Sequence, residues 1–164
     1  MWFRRLKEII MKKTPKIQSN QLVERFPDIR LDMFEYAGES CIDKMTEDTL
    51  ELLNKMCHDA QWENDWNHRI NSSYREGNSG QHPFGRAVDI VFYLKIAGDL
   101  DVWEQFRFAK KYPWGGIGTY PFWNAPGLHV DTRQGWNHVA TWWRDDKDKY
   151  RGIAEVKEIF GVAV

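Results

Sequence analysis

Cysteine is scarce in this chain of 164 residues, which carries only Cys41 and Cys57. The two do not form a CxxC pair, so neither a thiolate zinc site nor a disulfide framework is indicated. Net charge is also nearly absent, at −1 from 23 basic and 24 acidic residues. Nothing therefore draws the chain to phosphate backbones or anionic lipid, and neither nucleic acid nor membrane is expected as a partner. No apolar run approaches the roughly 20 residues of a membrane span. The basic N-terminus, "MWFRRLKEIIMKKTPK", lacks the hydrophobic segment of a secretory signal, so the protein is expected in the cytoplasm as synthesised. Internal repeats and low-complexity linkers are missing too. The sequence reads as a monomer with one globular unit: an N-terminal arm over 1–40 and a main domain over 41–164.

Aromatic residues are abundant, with nine Trp, nine Phe and six Tyr. Most are expected in the core, where aromatics supply much of the buried area. "TEDTLELLNKMCHDA" from Thr46 predicts a helix, with Thr46 as N-cap, acids in the first turn, and Leu50, Leu53, Met56 and Cys57 on one face. "HRINSSY" (68–74) predicts a strand that runs into the turn-rich "REGNSGQHPFG", and "RAVDIVFYL" (86–94) predicts a buried strand. "GDLDVWEQFRFAKKY" predicts a helix capped by Asp99. "GGIGTYPF" and "GLHVDT" read as two short strands, and "NHVATWWR" and "IAEVKEIF" as helical pieces. Helices and strands without regular βαβ alternation give an α+β class, with a small, mainly antiparallel sheet flanked by helices.

The chemistry gathers in "HPFGRAVD" (82–89) and "LHVD" (128–131). A catalytic zinc takes three protein ligands and leaves a fourth position open, and His82, Asp89 and His129 meet that count. Alternation along a strand puts Ala87, Asp89 and Val91 on one side and Val88 and Ile90 on the other. A carboxylate on an apolar strand needs a positive partner, which a metal can be. The same alternation places His129 and Asp131 on a common face, where one can ligate while the other orients the ligand or handles a proton. His58 and His68 read as helix-end or surface residues.

The run "SSYREGNSGQHPFGRAVDI" followed by "GGIGTYPFWNAPGLHVDTR" resembles the zinc D-alanyl-D-alanine carboxypeptidase family of peptidoglycan peptidases, in its branch with a final HxD motif. That family belongs to a wider group with lysostaphin-type endopeptidases and the hedgehog signalling domain. The likeness covers about residues 45–145. It implies a hedgehog-like fold, one zinc ion held by His82, Asp89 and His129, and hydrolysis of an amide bond in a stem peptide or cross-bridge after release to the cell wall. A phage-type lysis enzyme would suit these features. The resemblance makes Arg75 the group for a substrate carboxylate or oxyanion, with Arg133 in reserve. Asp131 is the nearest candidate for the general base, or else a partner of His129. Tyr74, Tyr120, Trp123 and Trp136 lie beside motif residues as candidate walls of a substrate cleft. The chain departs from the family pattern at Gly80, where a serine is usual, and in the short spacing between Arg75 and His82. It departs again at Pro126 and Gly127, where relatives keep a carboxylate or a histidine. A zinc module that has lost hydrolysis is the competing expectation, as is a virion-associated component of the same fold.

Overall fold

The computed structural model describes residues 19–77, 79–96, 98, 100–134 and 138–164. Four α-helices are described, α1 (Ser19–Arg25), α2 (Glu47–Glu63), α3 (Val102–Ala109) and α4 (Val156–Phe160). Eight strands accompany them: β1 (Glu35–Tyr36), β2 (Glu39–Ser40), β3 (Trp66–Ser72), β4 (Ala87–Leu94), β5 (Gly116–Tyr120), β6 (Gly127–Asp131), β7 (Ala140–Arg144) and β8 (Tyr150–Gly152). β1 and β2 form a small antiparallel hairpin, while the other six make one sheet in the order β3-β4-β6-β5-β7-β8. The class is α+β. The main sheet is mixed, because β5 and β7 run parallel while the remaining pairs are antiparallel.

That parallel pair corrects one expectation. "NHVATWWR" was predicted helical, yet Ala140–Arg144 is a strand. The segment carries a β-branched and two aromatic residues, which suit a pleated surface as well as a helix face, and pairing with β5 decides between them. Residues read as an arm also contribute to the core: Leu22, Phe26, Ile29 and Phe34 are buried in the same apolar cluster as the sheet.

Helix α2 forms where expected, with Thr46 in the extended backbone conformation of an N-cap. It buries Leu50, Leu53, Met56, Cys57 and Ala60 and packs on β3, while α3 packs on β5 and β6. Each fully buried Leu or Met on that face contributes about 1.5–3 kcal/mol of transfer free energy. The cap of α3 is Asp101, whose carboxylate accepts from the amides of Trp103 and Glu104 at 2.9 and 3.1 Å. Asp99, the expected cap, lies outside the described residues. Gln105 of α3 is fully buried and accepts from the Phe92 amide at 2.9 Å, a β4 donor beyond the end of the β4–β6 pairing. Its own amide donates to the carbonyls of Leu100 and Pro126. A buried backbone donor is thus paired, and the helix is fixed against the sheet.

The sheet has two unlike faces. Val88, Ile90, Phe92, Ile117, Leu128, Val130 and Trp143 enter the apolar core. The alternate positions carry Asp89, His129, Asp131, Gly118 and Trp142. Register aligns four of these in one row across the sheet, with Asp89 opposite His129, His129 opposite Gly118, and Gly118 opposite Trp142.

Candidate metal centre

His82 stands in a 3-10 turn (His82–Phe84) that ends on Gly85 in the left-handed region, at φ +65°. A Cβ at Gly85 would lie 1.9 Å from the Lys44 carbonyl oxygen. The Thr46 amide donates to the Gly85 carbonyl at 2.9 Å, so the turn is pinned to the start of α2. Asp89 comes from β4 and His129 from β6, as direct cross-strand partners. His82 Nε2 is 3.2 Å from His129 Nδ1 and 3.3 Å from Asp89 Oδ1, and His129 Nδ1 is 3.0 Å from Asp89 Oδ1. All three residues are buried. Ligand atoms on two vertices of a tetrahedron with 2.0–2.1 Å bonds are about 3.3–3.4 Å apart, so the triangle needs little adjustment to hold a zinc-sized ion.

The surrounding hydrogen bonds strengthen the fit. His82 Nδ1–H donates to the Ser73 carbonyl at 2.5 Å, and His129 Nε2–H donates to Asp131 Oδ2 at 3.0 Å. Those bonds assign the proton on each ring and leave His82 Nε2 and His129 Nδ1 as bare lone pairs aimed at a carboxylate oxygen. Three acceptors facing one another at this distance repel unless a cation sits among them. A proton is the smallest such cation. Burial disfavours the charged form of His129, but hydrogen bonds and charge from Asp131 and Asp89 outweigh burial and raise its pKa. Burial likewise acts to raise Asp89, yet the bonds and charges of His129 and His82 hold it well below the usual carboxylate range.

Asp131 is fully buried, and its four accepting positions are taken. Oδ1 accepts from the Arg133 amide at 3.0 Å and from Arg133 Nε at 2.8 Å, and Oδ2 accepts from Arg133 Nη2 at 2.5 Å as well as from His129. Burial raises its pKa, but the Arg133 and His129 bonds prevail and bring it to about 2. Of the two roles expected for Asp131, the geometry is that of a partner to His129, and the four accepted hydrogen bonds leave no lone pair for a water proton in this arrangement. Arg133 is paired with Asp131 through Nε and Nη2, its guanidinium carbon lies 4.9 Å from the centroid of the Trp142 ring, and it also lines the cleft over the triangle.

The GGxG string follows from these contacts. A Cβ at Gly116 would meet Asp131 Oδ2 at 2.5 Å and the Arg133 guanidinium at 2.7 Å, and one at Gly118 would meet the Trp142 indole at 2.5 Å. Glycine is required where a side chain from a neighbouring strand lies flat on the backbone.

A cleft of about 440 Å³ opens over His82 and His129, lined also by Arg75, Gln81, Tyr120, Trp142 and Tyr150. Arg75 is half exposed, with Nη1 3.6 Å from Asp89 Oδ2, and so places a guanidinium at the rim. Tyr120 stacks on Trp123 with centroids 3.9 Å apart, and its hydroxyl accepts from Trp142 Nε1 at 3.3 Å. Tyr74 is elsewhere: its ring packs edge-on to Tyr36 and under the Lys44 ammonium, outside the cleft lining, because it has already left β3 toward the hairpin. Trp136 lies outside the described residues. Trp142 and Tyr150 were missed, since both depend on β7 and β8 being strands. His68, expected at the surface, is buried on β3 beside Phe92, and burial lowers its pKa. Neither a family model, nor a curated protein, nor a solved structure matches the chain.

Proposed function

We propose that the protein is a zinc-dependent metallopeptidase that hydrolyses an amide bond in peptidoglycan peptides, with a fold of the hedgehog and D-Ala-D-Ala peptidase type. The observation that carries this reading is the buried triangle of His82 Nε2, Asp89 Oδ1 and His129 Nδ1 at the floor of a cleft, with both imidazoles oriented from behind. Two imidazoles and one carboxylate suit zinc among the divalent ions. When bound, zinc supplies a water of pKa about 7 and a Lewis acid for the scissile carbonyl.

The chain's own groups do the rest. Ser73 and Asp131 hold the ligating histidines in their tautomers. Arg75, at the rim and near Asp89, offers a fork of donors to a substrate carboxylate or to the oxygen that gains charge. Tyr120 and Tyr150 present hydroxyls along the cleft, and the Tyr120 hydroxyl, whose pKa burial raises, stays protonated as a donor.

The second reading is a metal module without hydrolysis. One observation favours it: among the described residues that line the cleft, none is a carboxylate free to take a proton. Metal analysis of the wild-type protein, His82→Ala and Asp89→Ala, alongside digestion of peptidoglycan with and without chelator and mass spectrometry of new termini, tests both. The peptidase reading expects chelator-sensitive new ends and loss of zinc and cleavage in both variants. Zinc bound at one equivalent with no new ends would leave the module, and cleavage that persists without metal would overturn both.

A further inference from the structure

Strands β5 and β7 run parallel, with Thr119 opposite Trp143, so the connections that follow them, residues 121–126 and 145–149, emerge side by side at one end of the sheet. Between them is a pocket of about 80 Å³ that contains no member of the metal triangle. Its first wall is aromatic. Phe122 is 54% exposed, and the Trp123 ring lies flat against Tyr120, with centroids 3.9 Å apart and planes 15° apart. Its second wall is polar and fixed. Asp145 is buried and committed to its own turn, accepting from the amides of Lys147 and Lys149 at 2.9 and 2.8 Å and from Arg151 Nε at 3.0 Å. Arg144 turns Nε toward Asp148, 3.4 Å from its carbonyl oxygen and 3.3 Å from Oδ1. The two Nη groups of Arg144 and the exposed Asp146 carboxylate are left without a hydrogen-bond partner among the described residues.

We propose that this pocket is a carbohydrate subsite that takes one neutral sugar ring, stacked by its apolar face on Phe122 and hydrogen-bonded along its hydroxyl rim by Asp146 and Arg144. Other ligand classes fit less of what is there. A divalent cation needs a set of free oxygens, six to eight for calcium, but Asp145 is spent on the turn and Asp148 faces a guanidinium. A phosphate-bearing ligand would meet three carboxylates of its own sign. An extended peptide needs a long groove or an open strand edge, and β5 and β7 are each paired on both sides. A pyranose meets both walls. Its C–H face suits the negative face of an aromatic ring, and each hydroxyl donates and accepts at once, as a carboxylate beside a guanidinium requires. The volume is far below the roughly 300–1,000 Å³ of a site that encloses a drug-sized ligand, so a single ring lies against the pocket rather than inside it. Tyr120 lines this pocket and the metal cleft alike. On the peptidase reading, the ring would belong to the glycan that carries the stem peptide; the subsite itself does not depend on that reading.

The test titrates N-acetylglucosamine and its disaccharide into the isotope-labelled full chain, with a sugar-free tetrapeptide as the comparison. The Trp123 indole N–H, assigned through Trp123→Phe, is followed by NMR. Saturable shifts at Trp123 and at residues 144–148, with Kd on the order of 1 mM, are expected from the sugars and not from the tetrapeptide. Phe122→Ala and Asp146→Ala, both at exposed positions, are each expected to weaken binding at least about five-fold with the melting temperature unchanged. No saturation by either sugar up to about 50 mM would overturn the subsite. So would unchanged affinity in Phe122→Ala, or equal shifts from the tetrapeptide. Hydrolysis plays no part in this measurement. A protein that binds the sugar yet cuts no amide bond would remove the peptidase reading and keep the subsite, and one that cuts while binding no sugar would do the reverse.

Discussion

Replacing Asp131 by Asn removes one charge and almost no volume, which isolates what the carboxylate does for His129. The amide oxygen can keep the Oδ1 bonds from the Arg133 amide and Nε. The amide nitrogen then stands where Oδ2 stood, against Arg133 Nη2–H and His129 Nε2–H, and three donors face one another. His129 relieves this by moving its proton to Nδ1, the atom that faces Asp89 and His82. Metal must then displace that proton and restore the unfavoured tautomer. Loss of a partner behind a metal-bound histidine costs about 10–100-fold in affinity, or about 1.4–2.8 kcal/mol. The metal-free fold loses a further amount of about 3 kcal/mol, the low end for unpairing a buried charge, since the Arg133 side chain keeps 21% exposure. Competition with a chromophoric chelator at neutral pH measures the first, thermal unfolding in chelator the second, and long-range nitrogen–proton NMR the tautomer. Zinc affinity within three-fold of wild type together with a proton still on Nε2 would refute the reasoning.

Gly118→Ala should destabilise by about 1–3 kcal/mol as an overpacked site, since its Cβ would press on Trp142 at 2.5 Å; a denaturant midpoint unchanged from wild type would contradict the close approach. Asp101→Ala should cost about 1 kcal/mol through loss of the α3 cap, read by the same titration, with Asp101→Asn largely restoring it. In the metal-free protein the raised His129 pKa gives stability that is present below its unfolded value of about 6.5 and is lost as pH rises through the folded value. The depressed Asp131 works in the opposite sense, its contribution present above about 3.9 and lost as pH falls toward about 2. Melting temperature in chelator should therefore fall on both flanks, and added zinc should raise it more at pH 8 than at pH 6, because zinc and the His129 proton compete for Nδ1. A zinc increment that shrinks with rising pH would exclude that competition.

The cluster of His82, Asp89 and His129 was legible in the sequence because each member depends on local rules. Gly85 marks the turn that carries His82, and strand alternation puts Asp89 and His129 on the face opposite Val88 and Val130. Asp131 was legible only as a choice between base and partner of His129, because Arg133, two residues on, folds back to occupy it, and no spacing records a side-chain path. Trp142 and Tyr150 were hidden for a different reason. Their place at the cleft follows from the parallel pairing of β5 with β7, a long-range choice that "ATWWR" leaves open between helix and strand. Tyr74 shows the converse error, since adjacence to Arg75 in sequence says nothing once the chain leaves the sheet. The core assignments of Leu50, Leu53, Met56 and Cys57 survived because helical period and burial agree.

The way the three candidate metal ligands are anchored has a kinetic consequence. Asp89 and His129 belong to adjacent strands inside a six-stranded ladder, and main-chain pairing on both sides fixes the backbone that carries each of them. His82 is held by a single short turn, by its bond to Ser73, and by the contact of Gly85 with the start of α2. Ion exchange should therefore begin with His82 swinging away, so that two donors act as a permanent seat and the third as its latch. Residence time would then be governed by the Lys44–Thr46 contact with Gly85, which touches none of the three donor atoms, while equilibrium affinity depends on all three donors.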